Sequence, residues 1–541
     1  MFRRVMAGAG VLALLTVALP AAAREISVER LSNSIRTISD DSFYGRYPGA
    51  AGERAVLGWL QAQYEQMGLE PGGPDGQWLQ RVELKRYTPE ADATRVSWKG
   101  PDGQSRSVAA GGPIMIRAVS NDGRAAIQDA GMVFAGYGIT APERSWDDYG
   151  DADVRGKVVI VVAGEPEDER FNGAYETNYA SNAYKADEAF RRGAVGVLTL
   201  FTIPSSDAGW QRVVAGGSRR RTLTPGAADL EFTGGVAHDL ALEWASAANL
   251  NLSSLAALGD GTFKAIPLNG VSLSVEASEA IDILVTHNLL ARIPGTERPD
   301  ETIIYSAHWD HVGVDAAHAG GDGDTIFNGA WDNASGTVGV VEMAHQFAKG
   351  PRPERSIVFA HMAAEEMGLL GAYAYAADPV YPLETTVADI NIDMLPLSPP
   401  TRDIAIFGKG QNDLEDRLQA LAEPLGRYVS DDNMPEQGFY YRSDHFPFAR
   451  MGVPAIMPWH GWDWVEGGRE AGETAWRAKF GADYHRPSDE WSADWDLRSA
   501  VENLTLLHQL GLDLANSEDW PGWKPTSEFA VVRARSDSAR R

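Results

Sequence analysis

Apolar residues recur at helical spacing in GERAVLGWLQAQYEQMGL, which predicts helix over residues 27–70 with Gly68 as a stop. WLQRVELKRY and TRVSWKG alternate like strands. From about residue 126 the character changes. AGMVFAGYGI and GKVVIVVAG are β-rich and bounded by glycines, and KADEAFRRGAVGVLTLF reads as a helix, a turn at Gly193 and a buried strand. Residues 202–240, rich in Gly, Ser, Thr and Arg, read as loops, so 126–280 forms a separate α/β insert. A regular alternation begins at 283. TIIYSAH (302–308) is a strand, ASGTVGVVEMAHQFAKG a helix ended by Gly350, and RSIVFAHMAAEE a strand running into a loop. TVADINIDML and GVPAIMP are further strands, and DLRSAVENLTLLHQLGLDLA is a closing helix. Strands separated by helices imply an α/β sandwich with a largely parallel sheet, whose functional loops lie where strands end.

Composition narrows the class. The 541 residues exceed one ordinary core, and 44% hydrophobic with 23% charged residues is the balance of a soluble globular protein. Residues 1–23 read as a signal peptide: Arg3 and Arg4 form a basic start, Val5 to Leu19 is apolar, and Ala21-Ala22-Ala23 offers a cleavage site. The apolar run is short for a bilayer span of ~20 residues, so the expectation is export, periplasmic or secreted, with no membrane association after cleavage. There are no cysteines, which excludes disulfides and an N-terminal lipid anchor on Cys. A net charge of −27 disfavours nucleic acid as a partner. Oligomeric state is not legible. Residues from Ser517 onward read as a polar tail.

The chemistry gathers where these strands end. His308 and Asp310 sit two apart at a strand end, on one side, so His308 can bind a metal while Asp310 orients it. Asp332 lies in NGAWDNASG before a helix, where Asp332, Asn333 or Ser335 can also cap. Glu365 and Glu366 follow a buried strand, a costly place for two carboxylates unless they are paired or metal-bound. Adjacent side chains diverge, so one can hold metal while the other faces a water. Asp393 ends an apolar strand in NIDM, His485 lies in DYHRPSDEW, and RSDHFPF adds Asp444 and His445. Two histidines and three carboxylates suit a metal pair such as zinc, with one carboxylate bridging.

The order and spacing of AHWDHVG, NGAWDNASG, AAEEMGLLGA, NIDM, SDHFPF and YHRPSD resemble the M28 metallopeptidases, the aminopeptidase and glutamate-carboxypeptidase group. GRYPGAAGERAVLGWLQAQYEQMGLEPGG is similar to that family's opening, and THNLLARIPG to its re-entry into the catalytic domain. The insert, with VFAGYGITAPERSWDDYGDADVRGKVVIVVAG, is similar to a protease-associated (PA) domain. The resemblance implies a three-layer α/β/α zinc-exopeptidase sandwich. Its domains would be a signal peptide (1–23), an N-terminal part of the catalytic domain (24–125), the insert (126–280), the catalytic domain (281–516) and a tail (517–541). It implies two Zn2+ ions: Asp332 bridges them, His308 and Asp393 complete one site, and Glu366 and His485 complete the other. Glu365 would be the general base and Asp310 a support for the ligands. His311, beside the site, could be mistaken for a ligand. A cis peptide between Asp332 and Asn333 is implied too.

The expected substrate is a peptide, shortened from its amino end. A carboxypeptidase or dipeptidase of the glutamate-carboxypeptidase type, a single-zinc glutaminyl cyclase and a non-catalytic binding protein on the same scaffold are the alternatives. Arg442 could serve a carboxylate, and Tyr440, Tyr441 and His445 are candidate oxyanion donors. Residues 457–480 are long for a connection. Their Trp459, Trp462, Trp464 and Trp476 are expected either to wall the cleft or to pack the loop onto its own domain.

Overall fold

The computed structural model describes residues 26–90, 92–171, 177–223, 230–250, 263–321 and 323–540. The signal-peptide reading of 1–23 lies outside them. Among the described residues no helix is long and apolar enough to cross a membrane.

Two helices, α1 (Val28–Ile38) and α2 (Ala51–Met67), open the chain, and Gly68 ends α2 in the left-handed conformation. Strand β1 (Leu79–Pro89) follows. The insert holds β2 (Arg95–Lys99), β3 (Ser105–Val108), β4 (Ile114–Ala118), β5 (Arg124–Phe134), β6 (Val158–Val162), α3 (Asn182–Arg191), β7 (Gly196–Phe201), α4 (Ala208–Gly217), β8 (Phe232–Ala237) and α5 (His238–Ala247). The long β9 (Ile266–Ile293) returns to the main body. There β10 (Arg298–His308), α6 (Gly336–Lys349), β11 (Arg355–Met362), α7 (Leu370–Ala377) and β12 (Thr386–Asn391) alternate. The chain continues through α8 (Asp413–Ala422), α9 (His445–Arg450), β13 (Ala455–Ile456), α10 (Gly468–Asp483) and α11 (Arg498–Ala515).

The main sheet runs β13–β12–β10–β11–β9–β1; the first four strands are parallel, β9 runs antiparallel to β11, and β1 runs antiparallel to β9. The period of two in the strands splits their side chains cleanly. Ile303, Tyr305, Ile357 and Phe359 pack with Leu31, Ile35, Leu60, Met343, Phe347 and Leu507, from α1, α2, α6 and α11. Ile304, Val358 and Ala360 pack on the other face with Tyr375 and Phe448, from α7 and α9. The result is a three-layer α/β/α sandwich with a mostly parallel sheet. Each fully buried Leu, Ile or Phe contributes about 1.5–3 kcal/mol.

The N-terminal half of β9 pairs with β5 and β2 in a second sheet, where β5, β6, β7 and β8 are parallel and β4 closes the edge. β9 is therefore the shared rail between both sheets. Three sequence readings change here. Strands 95–118 pair in the second sheet, so the insert begins before residue 126. Residues 202–240 contain α4, β8 and the start of α5, because Trp210, Phe232 and Leu240 are buried despite the polar surroundings. The segment after Ser517 is no loose tail: Trp523 and Phe529 are buried, and the Arg533 guanidinium donates to the carbonyls of Leu383 and Thr386.

Candidate metal centre

The site lies at the carboxyl ends of the parallel strands, where parallel strands leave room for diverging loops. His308 is the last residue of β10, Glu365 and Glu366 follow β11, and Asp393 follows β12. Asp332 arrives on the turn before α6, and its peptide to Asn333 is cis. His485 follows α10.

His308 Nε2 is 3.4 Å from Asp332 Oδ1 and 3.4 Å from Asp393 Oδ1. The other oxygen, Asp332 Oδ2, is 3.1 Å from His485 Nε2, which is 3.0 Å from Glu366 Oε2. One carboxylate thus faces two donor groups, one through each oxygen. His308, Asp332 and Asp393 offer ligand atoms all within 4.8 Å of one another, as do His311, Asp332 and Glu366. His311 is drawn in further than the sequence implied: its Nδ1 is 2.6 Å from Glu366 Oε1, and its ring is fully buried. Glu366 therefore spans two histidines, one at each oxygen.

Glu365 is turned differently. Its Oε2 is 3.9 Å from His308 Nε2, and its backbone N–H donates to Asp310 Oδ1. Burial first, then the charges of Glu366, Asp393 and Asp444, hold the Glu365 carboxyl well above the usual range against the pull of His308. His308 Nδ1 meets the Asp310 backbone carbonyl at 3.2 Å, which leaves Nε2 for the site. Burial lowers the affinity of His485 for a proton, but the hydrogen bonds and charge of Asp332 and Glu366 win and raise its pKa to about 10.

The donor set fits divalent cations. Asp332, Glu365, Glu366 and Asp393 crowd one pocket of low exposure, and Asp393 Oδ1 is buried without a hydrogen bond. Such a charge excess is costly unless cations offset it. Borderline nitrogen and oxygen ligands in this arrangement suit zinc.

Several supporting residues carried no sequence signal. Asp489 accepts the backbone N–H of Trp331 at Oδ1 and of Asp332 at Oδ2, each at 2.9 Å. Arg46, fully buried, donates to the carbonyls of Ile38, Trp309, Asn328 and Gly329 and so ties both ligand loops to the N-terminal segment. Ser443 donates to Asp393 Oδ2 and accepts from Asn391. Of the three capping candidates that the sequence did offer, Asn333 caps α6: its Oδ1 accepts the Gly336 N–H. Tyr484 stacks on His485 with ring centroids 3.9 Å apart. Burial, then Asp332, Glu366 and Glu365, push its hydroxyl well up, so it stays a donor.

The remaining candidates make contacts outside the ligand set, although the charge of Asp444 reaches Glu365 and that of Arg442 reaches Tyr484. The Tyr441 hydroxyl donates to Glu528, and Tyr440 packs on His445 and Phe529. Both His445 nitrogens and both Asp444 oxygens are buried without hydrogen bonds. Arg442 lies over the Phe439 ring. Of the two expectations for the tryptophan segment, packing onto its own domain describes three of the four: α10 fills the segment, and Trp459, Trp462 and Trp476 are buried in one cluster with Phe407, Phe439 and Met457, while Trp464 is half-buried outside that cluster. Aromatic area of that size folds inward because it packs on a second aromatic layer. One cavity that touches a candidate ligand has a volume of about 580 Å³ and a mixed lining that includes Val312, Asp315, His318, Phe327, His485 and Arg486.

Fold and site define an α/β protein with two clusters of metal-ligand side chains that share one carboxylate. Residues 288–508 match the model of Peptidase family M28. Aminopeptidase NAALADL1 of Mus musculus is 32% identical over 141 residues, 25% of this chain and 16% of that protein. A probable zinc metalloprotease of Leptosphaeria maculans is 30% identical over 200 residues, 31% of this chain and 45% of that protein. The chain thus spans less than half the length of these curated relatives. Among solved structures, an aminopeptidase from Aneurinibacillus sp. strain AM-1 aligns with 91% of this chain and 95% of its own at 16% identity and TM-score 0.44. A zinc aminopeptidase from Bacillus subtilis aligns with 91% and 97% at 17% identity and TM-score 0.42.

Proposed function

We propose that the protein is a two-zinc exopeptidase that removes residues from the amino end of peptides, and that residues 1–23 direct it out of the cytoplasm. The observation that carries the reading is the division of Asp332, whose Oδ1 faces His308 and whose Oδ2 faces His485. His308, Asp332 and Asp393 would hold one ion; Asp332, Glu366 and His485 would hold the other. Bound there, zinc supplies Lewis acidity toward a water and a carbonyl oxygen.

The side chains then divide the work. Glu365, which shares its turn with Glu366 but makes no contact with His485, takes a proton from the attacking water and returns it to the leaving amine nitrogen. Asp310 fixes that turn through the Glu365 N–H. The Tyr484 hydroxyl, kept neutral, would donate to the carbonyl oxygen as charge builds on it, a role supported by the stacking of its ring on His485. The amino-end preference draws support from the aminopeptidase named among the relatives.

Two measurements test this. Elemental analysis at saturation is expected to give two zinc ions per chain; one tightly bound ion with full activity refutes the two-ion reading. A peptide library is expected to shorten from the amino end. Shortening from the carboxyl end moves the protein to the carboxypeptidase class, and cyclisation of N-terminal glutamine without hydrolysis moves it to the cyclase class.

A further inference from the structure

We propose that Phe480 is a positioning residue for the cation site of Asp332, Glu366 and His485, holding the segments of two of those ligands through one continuous aromatic stack. The inference rests on the two-metal reading and adds Phe480 and Trp476, to which that reading assigns nothing.

Trp476, Phe480 and Tyr484 are spaced by four along α10 and its end, so their side chains share one face. The rings are stacked in series. Trp476 and Phe480 lie 4.7 Å apart at 19°, Phe480 and Tyr484 4.3 Å apart at 17°, and Tyr484 and His485 3.9 Å apart at 20°. The inner end is anchored, since Trp476 meets Trp462 at 5.6 Å within the buried aromatic cluster. The outer end is the imidazole that faces Asp332 and Glu366.

His485 needs such a support. Its φ is 55°, in the left-handed region that side chains with a Cβ disfavour, and its side chain is 37% exposed. An exposed ring on a strained backbone has little packing of its own to fix its plane. The stack supplies that plane from one side, while the carboxylates meet Nε2.

Phe480 reaches the second ligand segment as well. Its ring meets Trp331 edge-on, with centroids 6.4 Å apart at 84°, the geometry that aromatic quadrupoles favour. Trp331 directly precedes Asp332, and both backbone N–H groups are held by Asp489. Lys479, the preceding residue on α10, lies 5.1 Å over the same Trp331 ring. One phenyl ring therefore stacks beneath the neighbour of His485 and abuts the neighbour of Asp332. The other cluster shares Asp332, but the ligands of its own, His308 at the end of β10 and Asp393 just after β12, meet no ring of this stack.

That asymmetry gives the test. Zinc alone is titrated into the metal-free full chain, with binding followed by calorimetry and unfolding followed in parallel. Phe480→Met keeps bulk but removes the flat ring; Phe480→Tyr keeps the ring. The expected result is two binding steps in the natural protein, one of them weakened ~10–100-fold in Phe480→Met and restored in Phe480→Tyr, the range typical for groups that orient a ligand. Cobalt in place of zinc gives a second readout: the absorption bands of the site that includes His485 should change more in Phe480→Met than those of the site that includes His308. Equal weakening of both steps together with a fall in melting temperature would mean that Phe480 only fills the core, and overturns the inference. Unchanged binding in Phe480→Met overturns it too. A natural protein that takes up no zinc removes the metal reading itself, and the inference with it.

Discussion

Replacing Asp489 is expected to damage fold and site together. Its carboxylate is fully buried and accepts two backbone N–H groups, each at 2.9 Å, from Trp331 and from the bridging candidate Asp332. A hydrogen bond to a charged group contributes about 1.5–3 kcal/mol, so the pair contributes about 3–6 kcal/mol. Burial of the carboxylate works against this and lifts its pKa to about 6 despite the two bonds, which places the net value at the lower end. Asp489→Ala leaves both N–H groups buried and unpaired and should cost about 3 kcal/mol, a large part of a typical stability of about 5–15 kcal/mol. Asp489→Asn keeps one acceptor but turns an amide N–H toward the other donor, and should cost about 2 kcal/mol. Urea unfolding of the metal-free protein measures the stability term as a shift of midpoint at constant slope. Zinc titration measures the second effect: with the Asp332 loop released, affinity should fall ~10–100-fold. Both variants within about 0.5 kcal/mol of the natural protein, with unchanged zinc affinity, would refute the clamp.

Glu365→Gln should retain its full zinc content and lose ~10²–10⁴ in kcat, because in the proposed mechanism the residue handles a proton and holds no metal; loss of zinc in step with activity would show that Glu365 and Glu366 have exchanged roles. Trp476→Ala should lower stability by about 3–5 kcal/mol, as expected for a large buried ring, and leave the side-chain preference on a peptide library unchanged; an altered preference at constant melting temperature would return the tryptophans to the cleft. Glu528 is buried, and burial, reinforced by Glu143 and Glu165 against Arg144, raises its pKa to about 7. A carboxyl raised in the folded state is protonated there but ionised in the unfolded chain between about pH 4.5 and 7, so it penalises folding as pH rises through that window. Glu528→Gln should therefore stabilise by up to about 3 kcal/mol at pH 8 and by under about 1 kcal/mol at pH 5, read from unfolding midpoints; an equal effect at both pH values would refute the assignment.

What the sequence disclosed, it disclosed through local period. Ile303 and Tyr305 against Ile304, and Ile357 and Phe359 against Val358, are a period of two that the structure turns into the two faces of one sheet. The helix predicted before Gly350 and the helix before Gly68 both stop as those glycines require. Period failed where burial is aromatic and sparse. Residues 468–483 are mostly Gly, Ala, Arg, Glu and Lys, with Trp476 and Phe480 the only large apolar side chains, which reads as a loop until the partner rings are known. Trp523 and Phe529 in the C-terminal segment were hidden in the same way.

The polar supports were hidden for another reason. Arg46 acts on carbonyls 263, 282 and 283 residues away, and Asp489 on backbone N–H groups 157 and 158 residues away. Their partners are backbone atoms, which every residue has, so no residue type at the far end marks the pairing. A ligand such as Asp332 differs: its chemistry is specific, it recurs beside Gly and Asn in a turn before a helix, and its companions lie at strand ends. The ligands could therefore be read from side-chain types at strand ends, whereas the clamps exist only once the loops are folded against each other. The clamps nonetheless decide the geometry. Asp332 can offer one oxygen to each cluster only while Asp489 holds its N–H and Arg46 holds the carbonyls of Asn328 and Gly329 just ahead of it. The shared carboxylate is thus a product of the whole chain, from the end of α1 to the start of α11, and not of the M28 segment alone.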